Sequence, residues 1–159
     1  MIDKNVIPKI KLILFDLEGV IIEESTGKNE RMDKKIYEIF EHFCNELDGK
    51  NLITGIVTAR EEDKLIRELR RIKCLDVLSA SIDKTSQTEK LLKKYFLTYE
   101  NVCFIGHDIL DIPLLQRSGL SIATRDARRE VKRVVDYISK APTLEELLNE
   151  IIKILNDTE

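Results

Sequence analysis

Residues that could perform chemistry follow directly after short apolar runs of this chain. Asp16 and Glu18 come just after the first run, and Thr58 comes just after the second. Lys84 stands shortly beyond the third run, and the fourth leads into the segment Gly106–Asp111, which reads G-H-D-I-L-D. The residues that follow the four apolar runs thus supply, in chain order, carboxylates, a hydroxyl, a lysine and further carboxylates.

This set of side chains suits phosphoryl transfer. Carboxylates that lie close together repel each other unless protons or a cation separate them. Mg²⁺ takes oxygen ligands, keeps part of its water shell and links carboxylates to a substrate phosphate. One carboxylate could also attack phosphorus and form an aspartyl phosphate. A hydroxyl, a lysine and backbone amides could bind the phosphoryl oxygens and neutralise charge in the transition state.

The apolar runs alternate with amphipathic helical patterns along the chain, which predicts an α/β fold with a mainly parallel sheet covered on both faces. Between the first run and the first helix, the polar residues 21–32 predict a loop or short hairpin. Ligands of such sheets bind beyond the carboxyl ends of the strands, near the point where the strand order reverses. The polar residues should therefore meet there. The predicted strands cover 11–15, 52–57, 77–82, 101–105, 120–123 and 137–138.

The composition and charge of the chain limit the partners and the cellular location that we expect. We expect one domain over residues 1–159, because no repeat, low-complexity tract or linker interrupts the pattern. The net charge of −3 gives no electrostatic reason to expect nucleic acid as a partner. The N-terminus has no signal-peptide pattern, and no apolar run approaches the length of a membrane span. The three cysteines lack C-x-x-C spacing, so we expect a cytoplasmic, reduced protein without a membrane partner.

The residues after the strands resemble the motifs of the haloacid-dehalogenase-like (HAD) superfamily. F-D-L-E-G-V looks like the first motif, D-x-D-G after a strand, and Gly106–Asp111 looks like the fourth, G-D-D-x-x-D. The resemblance implies a three-layer, Rossmann-like domain. It implies that Asp16 is the nucleophile and a metal ligand, and that Glu18 is the general acid and base whose backbone carbonyl reaches the metal. Thr58 matches the hydroxyl of the second motif, and Lys84 matches the lysine of the third.

Within the superfamily, the stretch F-I-G-H-D-I-L-D-I-P-L-L is most similar to the 3-deoxy-D-manno-octulosonate 8-phosphate phosphatase subgroup. That similarity implies no large cap domain, a homo-oligomer (tetramer or dimer) and a small phosphorylated metabolite, such as a sugar phosphate, as substrate. Arg60 matches an arginine that contacts substrate in relatives and joins Thr58 and Lys84 as substrate-binding candidates. Lys90 competes with Lys84 for the third motif, but Lys84 precedes Gly106 by the interval typical of the subgroup.

Three residues depart from the subgroup's pattern. Glu18 replaces an aspartate, as in some active branches of the superfamily, and keeps a proton donor. Leu110 replaces a polar residue. His107 replaces an aspartate that binds Mg²⁺ directly, and imidazole is a poor ligand for that hard cation. Either Asp108 or Asp111 then recruits the ion, or His107 favours Mn²⁺, Co²⁺ or Zn²⁺, or His107 is only a hydrogen-bonded residue at a strand end.

The sequence leaves several functions open. In the first, the protein is a metal-dependent phosphomonoesterase: Asp16 attacks phosphorus, while Glu18 protonates the leaving oxygen and then activates water. In the second, it is a pseudoenzyme that acts through oligomerisation or partner binding. His107, Leu110 and the lack of the subgroup's glycine-rich, arginine-bearing C-terminal tail support that alternative. A two-component receiver domain is a third alternative, although receivers usually place the phosphorylated aspartate after a later strand.

Overall fold

The fold is built outward from one short apolar strand. In the computed structural model, which describes residues 1–157, β1 (Leu12–Phe15) consists of four fully buried residues. It pairs in parallel with β2 (Ile53–Val57) on one side and with β4 (Val102–Gly106) on the other. A strand that is covered on both faces must be apolar throughout, which explains the continuous run L-I-L-F.

The six strands of the described residues form one sheet, parallel throughout, in the order β3-β2-β1-β4-β5-β6. The remaining strands are β3 (Leu75–Leu78), β5 (Leu120–Ala123) and β6 (Tyr137–Ile138). The chain first adds strands on one side of β1 and then on the other, so the strand order reverses between β1 and β4. The predicted α/β class is confirmed, and the sheet is fully rather than mainly parallel.

Helices cover both faces of the sheet and complete three layers. Alternate residues of β1 point to opposite faces, with Phe15 in one core cluster and Leu14 in the other. Phe15 packs edge-on against Phe40 and Phe43, at ring-centroid distances of 5.4 and 5.6 Å. The layer on that face contains α1 (Lys34–Asp48), α2 (Lys64–Leu69) and α6 (Leu144–Asn156). The opposite layer contains α3 (Lys84–Tyr95), α4 (Ile112–Arg117) and the short α5 (Arg129–Lys132).

The third strand lies earlier than predicted. The sequence predicts it over 77–82, but β3 begins at Leu75 and ends at Leu78, and Ile82 is 73% exposed. The chain leaves the sheet there because Ala80 adopts a left-handed backbone conformation (φ 61°) and its amide donates to the carbonyl of Arg60. Apolar type alone could not distinguish Ile82, on this turn, from a buried strand residue.

No cap domain interrupts the described part of the chain. Residues 16–33 connect β1 to α1 through turns and one isolated bridge, between Glu18 and Ile22, as the predicted loop requires. Among residues 1–157, no helix has the length and apolar character needed to cross a membrane. The predicted domain ends at residue 159, and its last two residues lie outside the described part.

Candidate active site

Asp16 lies directly beyond β1, beside the point where the strand order reverses. Its amide donates to the carbonyl of Ile105 at the end of β4, and the residue is only 3% exposed. One carboxylate oxygen, Oδ1, accepts from the amide of Leu17 (2.8 Å) and lies 2.9 Å from Lys84 Nζ. The other, Oδ2, lies 3.1 Å from His107 Nδ1. Asp16 is therefore a buried carboxylate surrounded by donors.

Lys84 links two strand ends through its ammonium group. It is the first residue of α3, a helix capped by Asp83, whose side chain accepts from the amide of Ser86. Its Nζ lies 2.9 Å from Asp16 Oδ1 and 2.5 Å from Asp111 Oδ1. Burial by itself would lower the pKa of Lys84, but the charges of both aspartates outweigh it and raise that pKa. Lys90, the competing candidate, is exposed on the same helix.

Asp111 shapes the turn after β4. Its Oδ2 accepts from the amides of His107 (2.9 Å) and Asp108 (3.1 Å), while Oδ1 faces Lys84. Burial and the charge of Asp16 raise the pKa of this carboxyl group. A Cβ at Gly106 would lie 2.9 Å from the side chain of Asp111, so the close approach requires glycine. Asp111 thus holds the residues of the fourth motif in place.

The imidazole of His107 bridges two carboxylates. Nδ1 faces Asp16, and Nε2 forms a short contact with Oε1 of Glu24 from the loop that follows β1. Burial would lower the pKa of His107, but the hydrogen bonds to Asp16 and Glu24 outweigh it and raise that pKa to about 9. The ring is therefore protonated at neutral pH in the metal-free protein.

Asp108 is half-buried beside this group. Its Oδ1 accepts from the amide of Ile109 at 2.7 Å and pairs with the exposed Arg128, whose Nε lies 3.4 Å away. Asp108 also lines the small cavity next to Asp16. Of the predicted metal ligands, Asp108 lies nearest the surface.

Glu18 and Thr58 form the opposite side of the site. Thr58 is buried at the end of β2, and its Oγ1 lies 3.4 Å from both carboxylate oxygens of Glu18. Burial and the charge of Asp16 raise the pKa of Glu18. For Asp16 itself, burial opposes ionisation, but hydrogen bonding to His107 and the charge of Lys84 outweigh it and lower the pKa. The pKa values of these two neighbouring acids are thus shifted in opposite directions.

Arg60, predicted to bind substrate, is engaged with the loop. Its Nε and Nη2 contact Asp63 Oδ2 at 3.0 and 2.8 Å, and its guanidinium also donates to the carbonyls of Thr26 and Gly27. Its side chain is 10% exposed, and Nη1 lies 3.9 Å from Glu18 Oε1. Arg60 therefore joins the loop to the site, and its substrate role stays a prediction.

Sequence reasoning missed Glu24 and Asp63. Glu24 lies in a polar loop with no periodicity, and nothing in the spacing indicates that it reaches His107. Asp63 precedes the apolar stripe of α2, and its side chain accepts from the amide of Ile66, as an N-cap does. That capping position could have been predicted, but its second role, as acceptor for Arg60 and for the amide of Asn29, requires the folded chain.

The donor set fits a divalent cation. Asp16, His107 and Asp111 offer ligand atoms that all lie within 4.8 Å of one another, and Glu24, His107 and Asp108 form a second such group. Both groups combine carboxylates with one imidazole. That combination suits a transition metal better than Mg²⁺, which prefers oxygen ligands alone.

Two cavities meet at His107 and Glu24. The smaller, of about 120 Å³, is lined by Asp16 and Lys84 as well. The larger, of about 840 Å³, lies between the loop after β1 and α1 and contacts neither Asp16 nor Lys84. Of these two cavities, the smaller is the one that Asp16 lines.

Comparison with known proteins identifies the family of the chain. The family model of haloacid dehalogenase-like hydrolases matches residues 17–146. The 3-deoxy-D-manno-octulosonate 8-phosphate phosphatase KdsC of Salmonella typhi is 23% identical over 132 residues, which cover 82% of this chain and 70% of that protein. Its counterpart from Haemophilus influenzae is 22% identical over 131 residues, or 81% of this chain and 73% of that protein.

Solved structures show the same fold. The cobalt-bound deoxy-D-mannose-octulosonate 8-phosphate phosphatase of Haemophilus influenzae has a TM-score of 0.80 at 20% identity, over 96% of this chain and 93% of that one. The Moraxella catarrhalis phosphatase, in complex with magnesium ion, phosphate ion and KDO, has a TM-score of 0.78 at 19% identity, over 98% and 92%. The predicted resemblance to the superfamily and to this capless subgroup is confirmed. The chain belongs to the haloacid dehalogenase-like hydrolases.

Proposed function

We propose that the protein is a metal-dependent phosphomonoesterase that acts on a small phosphorylated metabolite through an aspartyl-phosphate intermediate. The observation that carries the proposal is the convergence of Asp16, Glu18, Thr58 and Lys84 at one edge of the sheet, where the pKa of Asp16 is lowered and that of Glu18 is raised. A nucleophile must be ionised, whereas a general acid must hold its proton. Pairs of acids whose environments separate their pKa values in this way serve these two roles in many active sites.

The reaction then takes two steps. A carboxylate oxygen of Asp16 attacks phosphorus and forms the acyl phosphate, while the bond from phosphorus to the ester oxygen breaks and Glu18 protonates that oxygen. Glu18, now a carboxylate, accepts a proton from water as the water oxygen attacks the same phosphorus. The acyl phosphate breaks, which restores Asp16 and the proton on Glu18, and orthophosphate leaves.

Thr58 and Lys84 are the residues that would bind the phosphoryl oxygens. Lys84 already lies against Asp16, and Thr58 lies beside Glu18, so their donors surround the place where phosphorus must sit. Asp16, His107, Asp108 or Asp111 and the carbonyl of Glu18 would hold the metal, which is Mg²⁺ or, given His107, Mn²⁺, Co²⁺ or Zn²⁺. When bound, such an ion neutralises phosphoryl charge.

The relatives support the class of reaction and leave the substrate open. They are named as phosphatases of a sugar-acid phosphate, and one was solved with magnesium, phosphate and KDO. At 23% identity, the substrate that we infer for this chain from the relatives is no more specific than a small phosphorylated metabolite, such as a sugar phosphate. We further infer one phosphatase domain over residues 1–159, a homo-oligomer, and a cytoplasmic location in keeping with three free cysteines.

One observation favours a pseudoenzyme as the second candidate. The imidazole of His107 lies against Asp16 where the superfamily motif has an aspartate that binds Mg²⁺, and at neutral pH it carries a proton. A metal ion would have to displace this proton before it could bind the ring, which weakens the site at neutral pH. In that reading the domain acts through oligomerisation or partner binding.

Trapping the phosphoenzyme distinguishes the two candidates. Glu18→Gln cannot activate water, so a substrate with a good leaving group, p-nitrophenyl phosphate, should leave phosphate on Asp16. We expect the intact mass of this variant to rise by one phosphoryl group, and hydroxylamine to remove it. Asp16→Asn/Glu18→Gln is the matched control and should stay unlabelled. Equal labelling of the control, or no labelling with any of the four metals, would refute the proposal.

A further inference from the structure

Glu24 contacts the ring of His107 from the loop that follows β1. Its Oε1 faces Nε2 of the imidazole, whereas the other ring nitrogen, Nδ1, lies 3.1 Å from Asp16 Oδ2 and 3.7 Å from Asp111 Oδ2. The two nitrogens therefore have different partners. Nδ1 faces two of the carboxylates that would hold the metal, and Nε2 faces Glu24, so the ring lies between the candidate metal site and the loop.

This arrangement determines which ring nitrogen can bind an ion. An ionised carboxylate accepts hydrogen bonds but does not donate them, so Nε2 must carry a hydrogen where it faces Glu24. Nδ1 is then the nitrogen that can give up its hydrogen to an ion beside Asp16 and Asp111. Histidines that bind metals commonly donate their other ring N–H to a carboxylate, which fixes the tautomer and the orientation of the ring.

The loop is anchored on both sides of Glu24. Before it, Ile22 forms the isolated bridge to the turn after β1. After it, the guanidinium of Arg60 donates to the carbonyls of Thr26 and Gly27. Because the chain is held at both neighbouring points, the carboxylate of Glu24 is directed at the imidazole although its side chain is 68% exposed.

Asp108 is the other carboxyl group near the ring, and it has other partners. Its Oδ1 accepts from the amide of Ile109 at 2.7 Å and lies 3.4 Å from Nε of Arg128. Glu24, rather than Asp108, is therefore the carboxylate that faces Nε2. Glu24 also lines both the smaller and the larger cavity, so truncating its exposed side chain would remove the contact with the imidazole without leaving a void in the core.

We propose that Glu24 is a positioning residue of the metal site: it accepts the Nε2 hydrogen of His107 and directs Nδ1 toward the ion. The pair of His107 and Glu24 then takes the place of the aspartate that the superfamily motif has at residue 107. This inference rests on the metal dependence proposed above, and it gives the loop after β1 a part in metal binding.

Binding of Mn²⁺ tests the inference without any turnover, because the free ion can be counted by its electron paramagnetic resonance signal. Glu24→Ala should bind Mn²⁺ about 10- to 100-fold more weakly than the native protein, since the ring loses its acceptor. Glu24→Gln keeps a neutral acceptor oxygen and should recover most of this loss. In His107→Asp the imidazole is absent, so adding Glu24→Ala should change the affinity by less than about twofold.

Glu23→Ala is the matched control, because it removes the same charge from the neighbouring loop position, where the carboxylate contacts Ser25 instead of the imidazole. It should change the affinity by less than about twofold, since exposed charges are screened. An equal loss in Glu23→Ala would show a general effect of charge. An equal loss from Glu24→Ala in the native and His107→Asp backgrounds would show that Glu24 binds the ion itself.

Either of these results, or unchanged binding in Glu24→Ala, would overturn this inference alone. Metal binding by the native protein without phosphate release from any ester would instead refute the proposed function and leave the inference standing. A native protein that binds none of the four metals would refute both.

Discussion

The imidazole of His107 occupies the space that a side chain on residue 19 would need. Gly19 has a φ of +82°, and a Cβ built on it would overlap three atoms of the His107 ring. The glycine of the first motif and the histidine of the fourth are therefore sterically linked. His107 can lie between Asp16 and Glu24 only because residue 19 has no side chain.

Gly19→Ala should displace the ring. Alanine is strained at this positive φ and collides with a side chain that is itself held at both nitrogens, so we expect a loss of about 1–3 kcal/mol in the free energy of unfolding. Unfolding by urea measures this loss of stability. Gly49→Ala is the control, since a Cβ there would meet only ordinary contacts of 3.5 Å or more. Equal stability of Gly19→Ala and the native protein would contradict the arrangement.

His107→Asp should change the preference for metals. A carboxylate at this position adds an oxygen ligand beside Asp16 and Asp111 and removes the imidazole. We expect Mg²⁺ to bind about 10- to 100-fold more tightly and the preference for Co²⁺ or Zn²⁺ to decline. Isothermal titration calorimetry with each metal measures the affinity for Mg²⁺ and the preference among the metals. His42→Asp changes the chain's other histidine, which is exposed on α1, and should have no effect. Unchanged metal affinity in His107→Asp would exclude His107 from the site.

Stability of the metal-free protein should depend on pH through His107. The folded state raises its pKa from 6.5 to about 9, so it binds this proton more tightly than the unfolded chain does. The resulting stabilisation is fully present below pH 6.5 and is lost as pH rises to about 9. We expect the native protein to lose stability across this window relative to His107→Asn, as measured by urea unfolding in the presence of a chelator. Parallel curves for the two proteins would contradict the assignment.

Arg60→Lys should loosen the loop after β1. The guanidinium contacts Asp63 and two loop carbonyls at once, which a single ammonium group cannot do. We expect faster hydrogen exchange at the amides of residues 23–31, with the sheet unchanged. Arg117→Lys is the control, because Arg117 is exposed and its contact with Glu89 is 4.0 Å long. Unchanged exchange in the loop would leave Arg60 available to the substrate.

The sheet and the edge at which its polar residues meet could be predicted because both depend on local pattern. The run before Asp16 is apolar at every position, as a central parallel strand must be, and the polar residues follow the strands directly. Parallel strands bring such residues to the same edge of the sheet. Lys84 could be distinguished from Lys90 by spacing, and it is Lys84 that contacts Asp16.

Contacts made by the loop could not be predicted in this way. Glu24 reaches His107, and Arg60 reaches Thr26 and Gly27, across separations of more than thirty residues that no local pattern encodes. The end of β3 also differs from the prediction, because Ile82 is apolar but lies on the turn beyond the strand, where it is 73% exposed.

Phosphate release by the native protein and by Asp16→Asn tests the central claim most directly. Both would be assayed on a panel of phosphomonoesters with Mg²⁺, Mn²⁺, Co²⁺ and Zn²⁺ in turn, and circular dichroism would verify that the variant is folded. We predict turnover by the native protein with at least one ion, and a loss of at least about a thousandfold in the variant. No release with any ion, together with no thermal shift from any metal, would contradict the phosphatase and favour the pseudoenzyme.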